Sequence, residues 1–250
     1  MKSLFRPKTF EYFVSAKKNF TKGKNRKDWF TAHLDDYEEY VKEPFSFLLR
    51  ELDHRLGRRL PRIDVLPRKL SRPLRPTGKA EEFGLVRASA NFFLTEKQTS
   101  MFEWNPGLYM QLGDEKEDNV IGMGLYGPSS RQIKRLRAAF VDDWQTVDRL
   151  LADRKLRKYW GTVAAEKYVR FPKDYSPEQP GAKYLWYKQF YLRRQFTRKE
   201  VTAPNFGETV IKSFEAGLGL FAWIRSAVGV YNRIEMEREK RERMDLADLR

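Results

Sequence analysis

The stretch from Gly107 to Phe140, GLYMQLGDEKEDNVIGMGLYGPSSRQIKRLRAAF, narrows the folds open to this chain more than any other segment. It joins a short apolar run, Leu108 to Leu112, to a second one, Val120 to Tyr126, through a turn rich in Asp, Glu and Asn. Two β-type runs around a solvated acidic turn predict a hairpin, and Pro128-Ser129-Ser130 then signals a helix N-terminus. A lone hairpin is marginal in water and needs cover on one face. Helices from both ends of the chain are expected to supply it, giving an α+β fold with a small, largely antiparallel sheet.

With 250 residues the chain is long enough to bury roughly three quarters of its unfolded surface. A single domain is expected over 1–232, with a charged helical tail over 233–250. No run approaches the roughly 20 apolar residues that cross a bilayer. The N-terminal MKSLFRPKTFEYF lacks the apolar core of a cleaved leader, so a cytoplasmic protein is expected. The absence of cysteine excludes disulfides, thiolate nucleophiles and cysteine-based zinc sites. Only His33 and His54 supply imidazole, which argues against a multi-histidine metal centre; no cofactor is expected. The formal charge of +15, from 49 Lys and Arg against 34 Asp and Glu, favours anionic partners such as nucleic acid.

Taken in order, Phe10, Phe13 and Val14 give a short amphipathic helix, followed by a basic loop over Lys17 to Lys27. Asn25 is positioned to cap a long helix whose Trp29, Phe30, His33, Leu34, Tyr37, Tyr40 and Val41 form one buried stripe. Pro44 should kink or restart that helix, and Gly57 should end it. From Arg55 to Lys79 nine basic residues stand against Asp64 alone, a surplus of eight. Four prolines in that segment predict an extended connector with one or two short strands. A strand over Val86 to Phe93 is expected before the hairpin, and helices from Ser130 and from about Asp143 after it. A Pro-rich loop then leads to AKYLWYKQFYLRRQF, read as an aromatic helix, and to a last apolar helix over Phe206 to Val230. The tail balances six basic against six acidic residues, with Glu237–Arg241 and Glu239–Arg243 in the favourable i, i+4 order.

Three blocks together resemble the bacterial domain-of-unknown-function 2461 family. They are NRKDWFTAHLDDYEEYVKEPFSFLLREL, the hairpin block, and FPKDYSPEQPGAKYLWYKQFYLRRQFTRKEVTAPNF, spanning about Phe10 to Ile224. The first carries Asn25, Arg26, Trp29, Phe30, His33, Tyr37 and Pro44 at the family's spacing. The family's most distinctive string, Arg-Asp-x-Arg-Phe followed by Asp-Lys, Pro-Tyr and Lys, falls on RPTGKAEEFGLVR. There Arg75 and Thr77 match, Glu82 stands near the Asp and Arg87 replaces the Lys, but most other positions differ. The chain is thus similar to a divergent member, and the resemblance implies no established activity.

Candidate sites follow from residue chemistry. Arg58, Arg59, Arg72, Arg75 and Arg87 in and beside the connector are charge-assisted donors suited to phosphate or carboxylate. They point to non-catalytic binding of nucleic acid or another phosphate-bearing molecule; the alternative for the cluster is a solvated loop neutralised by acids from elsewhere. A second hypothesis is an enzyme in which Arg75 and Arg87 hold an anionic substrate and Glu82 or His33 acts as general acid or base. A third is a scaffold that recruits a protein partner through the charged C-terminal helix. Asp35, Asp36, Glu38 and Glu39 read as a solvated face. Asp114, Glu115, Glu117 and Asp118 carry the oxygens a divalent cation needs but not the spacing of a calcium loop. Gly122 and Gly124 belong to no dinucleotide fingerprint and fit close packing in a strand.

Overall fold

The computed structural model describes residues 3–18, 26–76, 79–80, 84–97, 105–115 and 118–229. The Asn25 cap, most of the basic loop before it, Glu82, Glu117 and the charged tail 233–250 lie outside the described residues. The architecture is α+β, an open four-stranded antiparallel sheet with helices. Strands β1 (Ser89–Leu94), β2 (Gly107–Gly113), β3 (Val120–Leu125) and β4 (Phe190–Gln195) lie in the order β1-β2-β3-β4. In β1 and β2, Ser89 pairs with Gly113 and Leu94 with Leu108. β1 alternates half-buried and buried residues, as a strand with one covered face must. No helix among the described residues is long and apolar enough to cross a membrane.

By its internal contacts the chain forms two compact units: Met1–Leu94 with Leu108–Gly122 and Arg193–Glu215, and Thr95–Gly107 with Met123–Leu192 and Ala216–Arg250. In the first, α1 (Pro7–Lys18) starts on a proline and buries Phe10, Tyr12, Phe13 and Ala16. The expected long helix is segmented into α2 (Arg26–Ala32), α3 (Leu34–Tyr37), a π turn over Glu38–Lys42, and α4 (Glu43–Leu56). Pro44 sits in the first turn of α4, and the backbone stays right-handed helical through Tyr37, Lys42 and Glu43, so the chain passes from the π turn into α4. Leu48, Leu49, Leu52 and Leu56 of α4 are buried, and Phe45 packs edge-on against Phe5 and Phe92. Gly57 ends α4 without a left-handed φ; a Cβ there would collide with the Asp53 carbonyl.

In the second unit, α5 (Ser130–Asp142) opens with a full capping box: Ser129 Oγ accepts from the Gln132 amide, and Gln132 Oε1 accepts from the Ser129 amide. α6 (Trp144–Ala152) follows as expected, and α7 (Arg154–Trp160), not foreseen, is capped by Asp153. Phe140 stacks with Tyr184 and Trp223, and all three rings approach Phe190. Such aromatic pairs add about 1 kcal/mol each beyond the area they bury.

One sequence expectation is overturned. The segment AKYLWYKQFYLRRQF is helical only over α8 (Ala182–Leu185) and then becomes β4. Its aromatic residues fit both periods, but FYLRRQ buries Phe190 and Leu192 and exposes Arg193, an alternation of two. Pairing with a hairpin edge decides between the two periods, and that edge is remote in sequence. The short α9 (Arg198–Val201) then begins on a Thr197/Glu200 capping box, and α10 (Phe206–Val228) closes the described chain. Within the second unit, a Cβ on Gly217 of α10 would lie 2.5 Å from Met123 Sδ. Glycine there permits close packing of helix and strand.

Candidate functional site

The connector is held by backbone pairing at two places. Leu70 bridges to Phe92, the Ser71 amide donates to the Asn91 carbonyl at 2.7 Å, and Ser71 Oγ accepts from the Asn91 amide at 3.1 Å. Further on, Leu74 bridges to Val86, with the Arg75 amide on the Leu85 carbonyl at 2.8 Å and the Arg87 amide on the Pro73 carbonyl at 2.9 Å. The expected extended connector therefore pairs at Leu70 and at Leu74, with Leu60, Ile63 and Val65 buried before them. Prolines can occupy this short ladder because its edge positions demand few donors.

This second bridge gathers Arg72, Arg75 and Arg87. Arg75 donates from Nη1 to the carbonyls of Gly84 at 2.9 Å and Val86 at 3.1 Å. Burial, and then the positive charge of Arg87, depress its pKa below the ordinary guanidinium value. Arg87 donates from Nε to the Arg72 carbonyl at 2.9 Å, and Arg72 is exposed. Among the described residues no carboxylate lies within ion-pair range of Arg72 or Arg87. Arg58 and Arg59 are exposed on the turn after α4, outside this ladder.

Other cations of the connector are consumed internally. Arg55 reaches Glu215 at 2.9 Å and Glu208 at 3.3 Å. Arg68 and Lys69 both meet Asp64, at 3.0 and 3.1 Å. Burial alone would raise the Asp64 pKa, but the hydrogen bonds and charges of Arg68 and Lys69 outweigh it and hold the carboxyl below its usual value.

The remaining sequence candidates fall elsewhere. His33 separates α2 from α3, stacks on Trp29 with ring centroids 4.2 Å apart, and places Nδ1 2.8 Å from the Trp29 carbonyl. That contact occupies one ring nitrogen locally. Glu38 pairs with Lys42 and Glu39 with Arg6 on the surface. In the hairpin turn, Asp114 meets Lys17 and Arg198, Glu115 meets Lys17, and Asp118 accepts from Gln111. Among the described residues no group of three or more His, Asp or Glu is placed to hold a metal ion. Gly124 has φ +136°, and a Cβ there would lie 2.6 Å from the Phe190 carbonyl oxygen, the close strand packing its sequence context suggested.

Two cavities are lined by other residues. A groove of about 560 Å³ in the first unit runs along α1 beside Phe10 and Val14, with Lys18, Arg198 and Lys199 at its wall. Arg198 lies over the Phe10 ring at 5.1 Å. A pocket of about 430 Å³ in the second unit borders the start of α5. Neither is lined by the connector arginines. The Thr197/Glu200 spacing, a capping-box signature, was the available signal that Arg198 and Lys199 begin a helix. No comparable signal placed Lys188, because its segment reads equally as helix.

The sheet and its helices define an α+β protein. The chain belongs to the family described as "Conserved hypothetical protein (DUF2461)", which it matches over residues 9–223. No curated protein and no solved structure matches it. The family assignment agrees with the resemblance carried by the three sequence blocks.

Proposed function

We propose that the protein binds a polyanion, nucleic acid being the simplest, on the face of the connector that presents Arg72 and Arg87, with Arg58 and Arg59 as further phosphate contacts. The observation that carries this reading is the bridge between Leu74 and Val86, which brings Arg87 beside the segment that holds Arg72 and Arg75. Burial first, and then the positive charge of Arg87, lower the Arg75 pKa, and an anion on this face would offset that second effect. Arg75 serves as the internal tie and Arg72 and Arg87 as the ligand contacts.

The test is fluorescence anisotropy of labelled single- and double-stranded oligonucleotides at about 50 and 200 mM salt, where phosphate-dominated binding weakens steeply. The variant for comparison is Arg72→Ala/Arg87→Ala, which spares Arg75 and so the ladder. Weaker binding and a shallower salt slope in the variant support the reading. Absence of binding by the wild type at the lower salt rejects it.

A further inference from the structure

The pocket beside α5 has a composition that the connector lacks: three cations and no carboxylate among the nine residues of its wall. Ser130, Ile133, Lys134 and Arg137 fall on one face of α5 by their spacing of three and four, so Lys134 and Arg137 line the same wall. Lys188 arrives from the segment before β4. Its position is fixed by backbone pairing, with its amide on the Glu166 carbonyl at 2.8 Å and the Tyr168 amide on the Trp186 carbonyl at 2.7 Å. The Tyr168 ring thereby stands between two cations, the Arg137 guanidinium 4.9 Å and the Lys188 ammonium 5.8 Å from its centroid.

Two hydrogen-bonding details mark this wall as built to receive a ligand. Arg137 Nε is buried and makes no hydrogen bond among the described residues. A buried guanidinium donor left without an acceptor is costly. Gln189 Oε1 accepts from the Gly127 amide at 3.2 Å, which pins the 127–128 turn and leaves the Gln189 amide N–H groups to donate. The capping box satisfies the amides of Ser129 and Gln132 but not that of Ser130, which borders the pocket at the positive end of the helix. Glu166 sits 3.7 Å from Lys188 and is two-thirds exposed, a weak competitor.

We infer that this pocket is a binding site for a small phosphomonoester, its phosphate held by Lys134, Arg137 and Lys188 and its organic part lying against Ile133 and Tyr168. A volume of about 430 Å³ exceeds what a bare phosphate fills and falls in the range of small-molecule sites. Two lysines and one arginine match a dianion, with the arginine fork giving direction and the lysines giving charge. The site shares no residue with the connector and does not depend on the polyanion reading.

Isothermal titration of the full chain with glycerol phosphate, inorganic phosphate and glycerol, at a fixed ionic strength of about 100 mM to screen surface charge, tests the proposal. Saturable binding of glycerol phosphate, weaker binding of inorganic phosphate and none of glycerol are expected. Lys134→Gln and Lys188→Gln, both at solvent-accessible positions, should each weaken glycerol phosphate by about tenfold without lowering Tm, the effect of losing one charge-assisted contact. Arg137→Lys, which keeps the charge but loses the planar fork, should also weaken it, whereas Arg72→Ala/Arg87→Ala should leave it unchanged. The proposal is overturned if glycerol phosphate gives no saturable heat with the wild type. It is equally overturned if both lysine variants bind as the wild type does, or if they weaken an oligonucleotide while no phosphomonoester binds.

Discussion

The connector carries nine cations between Arg55 and Lys79, and the α5 pocket wall carries three, yet the two regions use their charge in opposite ways. In the connector, Arg55 is held by Glu208 and Glu215, Arg68 and Lys69 by Asp64, and Arg75 by two backbone carbonyls. Four of the nine are thus held by internal partners. Around the pocket, Lys134, Arg137 and Lys188 meet with no carboxylate in the wall, and one guanidinium nitrogen lacks a hydrogen-bond partner. Counting charge finds the first region and overlooks the second. Convergence in one pocket wall, rather than density along the chain, sets the second region apart.

The contrast is broken most sharply at Arg75. Its guanidinium is a tie, so Arg75→Ala should cost about 2–3 kcal/mol, the worth of charged hydrogen bonds to partly buried carbonyls. For a chain of this size that lowers Tm by roughly 5–10 °C, measurable by calorimetry. An unchanged Tm would move Arg75 from structure to ligand binding.

Asp64→Asn comes next, at about 1–2 kcal/mol, because it leaves Arg68 and the less exposed Lys69 facing a neutral partner. The folded pKa of Asp64 lies below its unfolded value, so its contribution is present above the unfolded pKa and is lost as pH falls through the folded one. Denaturant titrations should therefore separate wild type and variant at neutral pH, and the gap should close below about pH 4. A gap that persists in acid would show that the pairing is not what Asp64 provides.

Arg72→Ala/Arg87→Ala should reduce the slope of log affinity for double-stranded DNA against log salt by about 1.8, two phosphates' worth, while stability falls by less than about 1 kcal/mol. An unaltered slope would place the polyanion contacts elsewhere. The smallest effect sharpens the pocket side: Glu166→Gln frees Lys188 from an exposed pair and should raise glycerol phosphate affinity about twofold. A decrease would mean that Glu166 orients Lys188 rather than competing for it.

Much of the fold was legible along the chain. The acidic turn between two apolar runs gave β2 and β3, and Pro128-Ser129-Ser130 gave the start of α5. The leucine stripe after Pro44 gave α4, because burial of one helical face repeats every three to four residues. The segmentation of the preceding helix at His33 was not legible, since nothing local breaks the pattern there. The site was less accessible still. Arg72 and Arg87 were named, but their juxtaposition depends on the bridge between Leu74 and Val86, and Lys188 was misplaced with the helix assigned to its segment.

Composition, periodicity and capping are properties of neighbouring residues, so the sequence alone determined the α+β class, the hairpin, the capped helix and the absence of cysteine chemistry. It also determined the family, whose blocks are contiguous strings. Tertiary structure decided that Phe190–Gln195 is a strand, because a strand's partner lies elsewhere in the chain and hydrogen bonding to it outweighs a local preference that fits either period. It decided, too, which arginines are ties and which three cations share a pocket. The energy of a charge depends on the groups within a few ångströms of it, and folding alone brings those groups together.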